Sequence, residues 1–280
     1  MAIKNLFAIL GNGGIILEKN FIDRANELTP PVNDTPYKRI LAIGDIHANF
    51  DGLISLWEKI SVTADDLVIF LGDYIDRGKQ SAEVLQWIMQ KNKEENFIFL
   101  CGNHEQMVLG TFSKRYEPNF WLLNGGNSTL GSLKTNPDFL VEIVNFFANL
   151  AIYHSMKIGG REYIFCHAGI EEKLSMEEQN FEYLIWAREE FLAKDSGYNG
   201  DAMVIVGHTP IQKLFIENNS VMFDTGYYGK YLIANTQEEN IKIQPYKIPK
   251  RNILMMDTGS YIKGGKISCV DILSGEFWQS

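Results

Sequence analysis

Cysteine is scarce in this chain: Cys101, Cys166 and Cys269 are an odd number with no paired spacing among 280 residues. Secreted domains that depend on disulfides use many, usually in even number, so the expectation is a reduced, cytoplasmic protein. Long apolar runs are lacking as well. No stretch reaches the roughly 18 uninterrupted apolar residues that a bilayer span needs. The nearest, residues 6–17, is broken by Gly11-Asn12-Gly13-Gly14 and lacks a small-x-small cleavage site, which argues against both a membrane span and a signal peptide. Basic residues are outnumbered, 26 against 35 acidic, for a formal net charge of −9. Such a balance repels polyanions, so neither nucleic acid nor a membrane is expected as a partner. The 8 Pro and 24 Gly are scattered, excluding collagen-like and low-complexity chains.

What is present suits an ordinary core, since 45% of residues are hydrophobic. Residues 1–38 read as an irregular N-terminal extension, ending in the turn formers Thr29-Pro30-Pro31 and Asp34-Thr35-Pro36, and residues 39–280 read as the folded domain. Arg39-Ile40-Leu41-Ala42-Ile43 stops at Gly44-Asp45, and a helix pattern spans 51–60. Leu67-Val68-Ile69-Phe70-Leu71 stops at Gly72-Asp73, with a helix over 81–91; Phe97-Ile98-Phe99-Leu100-Cys101 stops at Gly102-Asn103. Repeated strand, Gly-polar, helix units imply an α/β fold with a largely parallel sheet buried on both faces. Ligands of such sheets sit at the carboxyl ends of the strands. Residues 116–150 read as mostly helical, interrupted at Asn124-Gly125-Gly126, with a helix start at Asn136-Pro137-Asp138. A hairpin spans 152–166 about Gly159-Gly160, and Met203-Val204-Ile205-Val206 is closed by Gly207-His208. From Pro210 the chain is strand-like, and Asp224-Thr225-Gly226 and Asp257-Thr258-Gly259 read as β-turns.

The strand ends carry the chemistry: Gly44-Asp45-Ile46-His47, Gly72-Asp73-Tyr74-Ile75-Asp76-Arg77-Gly78, Gly102-Asn103-His104-Glu105, Cys166-His167-Ala168-Gly169 and Gly207-His208-Thr209. At roughly 5% per specified residue, the second cluster alone would arise by chance in about one such chain in 10⁴, so the ordered set is no accident. Residues two apart on an extended strand face the same way. Asp45 and His47 can therefore reach one metal ion, and Asp73 on the next strand end both that ion and a second. Asn103, His167 and His208 add an amide oxygen and two imidazoles. A mixed O/N set without thiolate favours Mn²⁺, Fe or Zn²⁺ in an open catalytic site. Two adjacent metals would activate hydroxide and clamp an in-line displacement at phosphorus, so the substrate should be a phosphate ester or anhydride. Arg77 and Arg188 are the candidates for the non-bridging phosphate oxygens. His104, beside Asn103, is placed to protonate a leaving alkoxide, with Asp76 holding its tautomer.

These clusters resemble the signature of the phosphoprotein phosphatase family of binuclear metallophosphoesterases, with its Gly-Asp-x-His, Gly-Asp-x-x-Asp-Arg-Gly and Gly-Asn-His-Glu blocks in order. The resemblance covers roughly residues 39–275. It implies a metallophosphatase sandwich of two mixed sheets flanked by helices, with Asp45, His47 and Asp73 at one metal and Asp73, Asn103, His167 and His208 at the other. It also implies phosphate contacts from Arg77, Asn103, His104 and Arg188, two divalent ions with Mn²⁺ foremost, and direct attack by a metal-bridging hydroxide. The expected function is a serine/threonine or dual-specificity protein phosphatase acting on phosphoproteins or small phosphorylated substrates. The competing implication is a symmetrical bis(5'-nucleosyl)-tetraphosphatase, whose relatives commonly carry alanine in place of Asp76 and aspartate in place of Glu105. Three departures stand out: Ala48 for the usual glycine, Lys79 for the common proline, and a long stretch between Pro210 and Asp257. Outside the clusters, His154 reads as a packed or solvated histidine, Cys101 and Cys166 as small hydrophobes, and Gly264-Gly265 as a turn.

Overall fold

The apolar run at Arg39–Ile43 (β1) is buried on two faces at once. Leu41 and Ile43 join a core cluster with Leu53, Leu56, Val84 and Leu85, whereas Ile40 and Ala42 join a second cluster with Phe165, Ile205 and Met256. The first cluster lies under the helices Phe50–Ile60 (α1) and Ser81–Lys91 (α2). The second fills the space between two sheets. Asp66–Phe70 (β2) repeats the arrangement, with Val68 and Phe70 on the helix side and Leu67 and Ile69 on the sheet side. A strand clothed on both sides must be apolar at every position, and the runs are therefore continuous rather than alternating.

This computed structural model describes residues 35–133, 137–193, 197–211, 213–217, 220–224, 230–235, 245–248 and 251–280. Residues 1–34 of the expected extension, with Gly11-Asn12-Gly13-Gly14, lie outside them, as do Asn136, Thr225-Gly226 and Glu238-Glu239. β1, β2 and Phe97–Phe99 (β3) run parallel. Ser268–Asp271 (β12) and Phe277–Gln279 (β13) extend that sheet antiparallel, in the order β13-β12-β1-β2-β3. The first sheet is thus mixed, as the family resemblance implies.

Tyr153–Ile158 (β4) and Arg161–Cys166 (β5) form the expected hairpin, with Gly159 at φ 56° and Gly160 at φ 81° in a two-residue turn. The second sheet has the order β10-β11-β6-β5-β4, where β6 is Met203–Val206, β10 Tyr246–Lys247 and β11 Ile253–Met255. β5, β6 and β11 run parallel. The long stretch after Pro210 contains a three-stranded antiparallel sheet, Lys213–Glu217 (β7), Ser220–Asp224 (β8) and Lys230–Asn235 (β9). Further helices are Asn103–Phe112 (α3), Pro118–Trp121 (α4), Asn127–Ser132 (α5), Pro137–Ala148 (α6), Phe181–Trp186 (α7) and Glu189–Leu192 (α8). The expected interruption at Asn124-Gly125-Gly126 is a π-helical turn, Leu122–Gly126, in which Gly125 takes φ 112°. Among the described residues no helix is long and apolar enough to cross a membrane.

Candidate active site

Six strands bring their carboxyl ends to one place. Asp45 follows β1, Asp73 follows β2, Asn103 follows β3, His167 follows β5 and His208 follows β6; Asp257 follows β11. The backbones cross-link there: Ile46 and His47 donate to Asp73 O at 3.1 and 2.9 Å, Gly207 donates to His167 O at 2.9 Å, and Met256 donates to Val206 O at 2.7 Å. Close approach explains two of the glycines in the motifs. A Cβ on Gly102 would lie 2.2 Å from Asp73 Oδ1, and one on Gly207 would lie 2.1 Å from Asp45 Oδ1. Glu105 ties the second and third strand ends together, its carboxylate accepting from the N–H groups of Asp73, Tyr74 and Gly102 at 2.8, 2.9 and 3.0 Å. Burial and the neighbouring Asp73 push the Glu105 carboxyl up to about 8.

All six residues expected to hold metal are buried and converge. Asn103 Oδ1 has His167 Nε2 at 3.0 Å and His208 Nδ1 at 2.9 Å, and Asp73 Oδ1 is 3.3 Å from that same His167 nitrogen. Neighbouring donors about 3 Å apart are what metal bonds of about 2.1 Å produce. On the other side of Asp73, His47 Nε2 is 3.6 Å from Asp73 Oδ2 and 3.8 Å from Asp45 Oδ2. His47 Nδ1 is 3.0 Å from Ile75 O and His167 Nδ1 is 2.8 Å from Leu71 O. A carbonyl only accepts, so in the neutral ring each Nε2 presents its lone pair to the site, the arrangement that orients ligating histidines. The donor set therefore fits divalent metal ions. Among the acidic and imidazole donors, two groups have their ligand atoms within 4.8 Å of one another: His47, Asp73 and His104, and Asp73, His167 and His208. His104 thus joins the first group in space, with Asp45 beside it.

Electrostatics follow from this crowding. Burial, then Asp257 and Asp73, push the Asp45 carboxyl well above its usual range. Burial opposes ionisation of Asp73 too, but His167, His104 and His47 outweigh it and hold that carboxyl well below. Burial keeps His47 and His208 well below the usual imidazole value, hence neutral, with His104 adding to the effect on His47 and Arg188 on His208. His167 is raised, because Asp73 outweighs its burial.

The expected phosphate and proton groups line the same cluster. His104 Nδ1 meets Asp76 Oδ2 at 2.6 Å, and Asp76 also accepts from Trp121 Nε1 at 2.9 Å and Thr129 Oγ1 at 2.6 Å. With Nδ1–H committed to Asp76, His104 Nε2 is left buried without a hydrogen-bond partner among the described residues, 3.8 Å from Asp73 Oδ2. Arg77 Nη1 donates to His47 Nε2 at 2.9 Å, and its guanidinium lies 4.4 Å from the centre of the Tyr261 ring. Arg188, at the start of α8, donates from Nη1 to Thr209 Oγ1 at 3.0 Å and makes no ion pair among the described residues.

The sequence reading gave no site role to Asp257, Tyr261 or the two partners of Asp76, Trp121 and Thr129. Asp257-Thr258-Gly259 does turn, with Gly259 at φ 72°, but Asp257 is fully buried beside Asp45 rather than a plain turn residue. The signal was available: Ile253-Leu254-Met255-Met256 ends at Asp257 as the earlier apolar runs end at theirs. Trp121 and Thr129 carry no such signal, because they reach Asp76 from helices 45 and 53 residues away. His154 is packed on Phe165, where burial pushes it down to about 4. The three cysteines are buried and free, and burial raises their thiols, which makes them inert. Gly264 takes φ 83°, a turn as expected.

Several known proteins are similar to this chain. Serine/threonine-protein phosphatase 2 of Salmonella typhimurium is 26% identical over 204 residues, covering 70% of this chain and 91% of that protein. An asymmetrical bis(5'-nucleosyl)-tetraphosphatase of Anoxybacillus flavithermus is 25% identical over 227 residues, covering 69% and 87%. The fold matches the crystal structure of a provisionally assigned diadenosine tetraphosphatase with a TM-score of 0.57 at 17% identity, over 90% of this chain and 98% of that one. Residues 38–242 match the family described as calcineurin-like phosphoesterase, a span that includes every expected metal donor. By the length of that match, the chain belongs to the calcineurin-like phosphoesterase family of metal-dependent phosphoesterases.

Proposed function

We propose that this protein is a metal-dependent phosphomonoesterase acting on phosphoserine and phosphothreonine in proteins. The observation that carries the reading is the buried pair Asp76 and His104, 2.6 Å apart, with His104 Nε2 free of any other partner among the described residues. An alkoxide leaving group needs a proton, whereas a phosphoanhydride's leaving group needs it much less. The Salmonella relative and a 28% identical Escherichia coli relative are both named serine/threonine-protein phosphatase 2.

In this reading Asp45, His47 and Asp73 hold one divalent ion, and Asp73, Asn103, His167 and His208 hold the other, with Mn²⁺ suited to the O/N donors. When bound, such a pair polarises the phosphoryl group and makes hydroxide available near neutral pH. The remaining steps belong to the chain. Arg77 and Arg188 bind the non-bridging phosphate oxygens, Asn103 and His104 contact the phosphate, and His104 Nε2 delivers the proton to the leaving oxygen. Asp76 keeps the other ring nitrogen protonated, itself fixed by Trp121 and Thr129. The Anoxybacillus relative supports a second reading, hydrolysis of dinucleoside tetraphosphates.

The test is Mn²⁺-dependent phosphate release from a phosphothreonine peptide beside diadenosine tetraphosphate under identical conditions. Preference for the peptide is expected. Faster cleavage of the dinucleotide would replace the protein-phosphatase reading with the nucleotide one.

A further inference from the structure

Asp257 reaches the site because β11 pairs parallel to β6, with Met255 opposite Val206, so the chain leaves β11 next to His208. Its side chain is fully buried, and Oδ1 accepts the Gly259 N–H at 2.9 Å. Oδ2 is buried with no hydrogen-bond partner among the described residues, and neither has Ser260 Oγ in the same turn. The charged groups around it are Asp45 and Asp73, of like sign, and Arg77 and Arg188. Neither arginine closes on it: Arg77 Nη1 is turned to His47 Nε2 and Arg188 Nη1 to Thr209 Oγ1.

A buried carboxylate oxygen without a donor is costly, and among two further carboxylates it is tolerated only where a positive charge compensates it. Asp257 belongs to neither close donor group; Asp45 is outside them too but lies 3.8 Å from His47 Nε2, whereas Asp257 Oδ1 is held by the Gly259 N–H, which sets Asp257 behind the direct donors. We propose that Asp257 is a positioning residue of the metal centre, the outer anion that retains the divalent ion on the Asp45 and His47 side. The inference rests on the ligand assignment given under the proposed function. It goes beyond the six donors of that assignment.

Asp257→Asn removes the charge while keeping an oxygen for the Gly259 N–H. Mn²⁺ is titrated calorimetrically into metal-stripped wild type and variant, and melting is followed with and without Mn²⁺. One of two binding events should weaken about 10- to 100-fold, with the other unchanged. Without Mn²⁺ the variant should melt above wild type, since a partnerless buried charge is gone, and Mn²⁺ should raise its melting temperature less. Unchanged binding of two Mn²⁺ would overturn the proposal, as would wild type binding fewer than two. A variant that melts lower without Mn²⁺ yet binds it normally would mark Asp257 as purely structural, which also overturns it. Should Asp257→Asn not fold, Asp257→Ser is put through the same titration. The protein-phosphatase reading fails separately, through absent peptide hydrolysis by wild type, which this titration does not use.

Discussion

His47, Ala48, Asp73, Asp76, Arg77 and His208 make up six of the eight non-glycine residues with positive φ among the described residues. Left-handed backbone costs of order 1–3 kcal/mol at a non-glycine residue and survives where the surroundings dictate it. Here it aims side chains off strand ends into one pocket of donors. Ala48, at φ 55°, holds a left-handed backbone that glycine would adopt without strain. Relief of that strain outweighs the greater freedom of glycine in the unfolded chain. Ala48→Gly should therefore stabilise the protein by up to about 1 kcal/mol, read as a higher urea midpoint at unchanged m-value; a lower midpoint would mean that the methyl packing matters more. Lys79 is exposed, so its departure from proline touches no donor. For His104→Asn, turnover on alkyl phosphates should fall about 10²- to 10⁴-fold, and distinctly less on aryl phosphates, whose oxide leaves unprotonated, while Mn²⁺ uptake stays intact. Equal losses on both substrates would remove the proton-donor role from His104.

The element that positions the site most directly is β2, which carries Asp73 at its end and is sandwiched between the helices and the second sheet. Ile69 is fully buried among Ile40, Phe165, Ile205 and Met256 on the inter-sheet side. Truncation there leaves a cavity between two stiff sheets, and Ile69→Ala should cost about 2–5 kcal/mol, measured by urea unfolding. A cost below about 1 kcal/mol would show that the sheets can close on the gap. The first turn of α1 is tied to the far side of the site: Asn49 Oδ1 caps Gly52 N at 2.9 Å while its Nδ2 donates to Ser260 O at 3.0 Å. One residue thereby links the loop after β1 to the turn that follows Asp257.

Across the whole molecule, the ion pair of Arg39 and Asp66 joins the start of β1 to the start of β2, at the opposite end from the site, with Arg39 Nη2 2.6 Å from Asp66 Oδ2. The Arg39 hydrogen bonds hold the Asp66 carboxyl below its ordinary value, burial opposing them. A depressed carboxyl contributes stability above the unfolded value near 3.9 and loses it as pH falls through the lower folded value. Wild type should accordingly lose melting temperature more steeply below about pH 4 than Asp66→Asn does. Parallel acid limbs for the two proteins would show that the pair contributes nothing to pH dependence.

Order along the chain determined the strand-end chemistry. A continuous apolar run followed by Gly and a polar ligand type is local information, and Asp45, His47, Asp73, Asn103, His104, His167 and His208 were legible from it, as were β1, β2, α2 and the β4–β5 hairpin. Only the tertiary structure decided the rest. Asp257 belongs to the site because β11, three residues long, pairs parallel to β6 rather than antiparallel. Nothing local encodes that direction. Trp121 and Thr129 belong to it because α4 and α5 pack over Asp76, and Tyr261 because its turn folds beneath Arg77. Motifs survive in sequence where neighbouring residues act together, whereas pairing direction and packing between distant elements are set by the free energy of the assembled core.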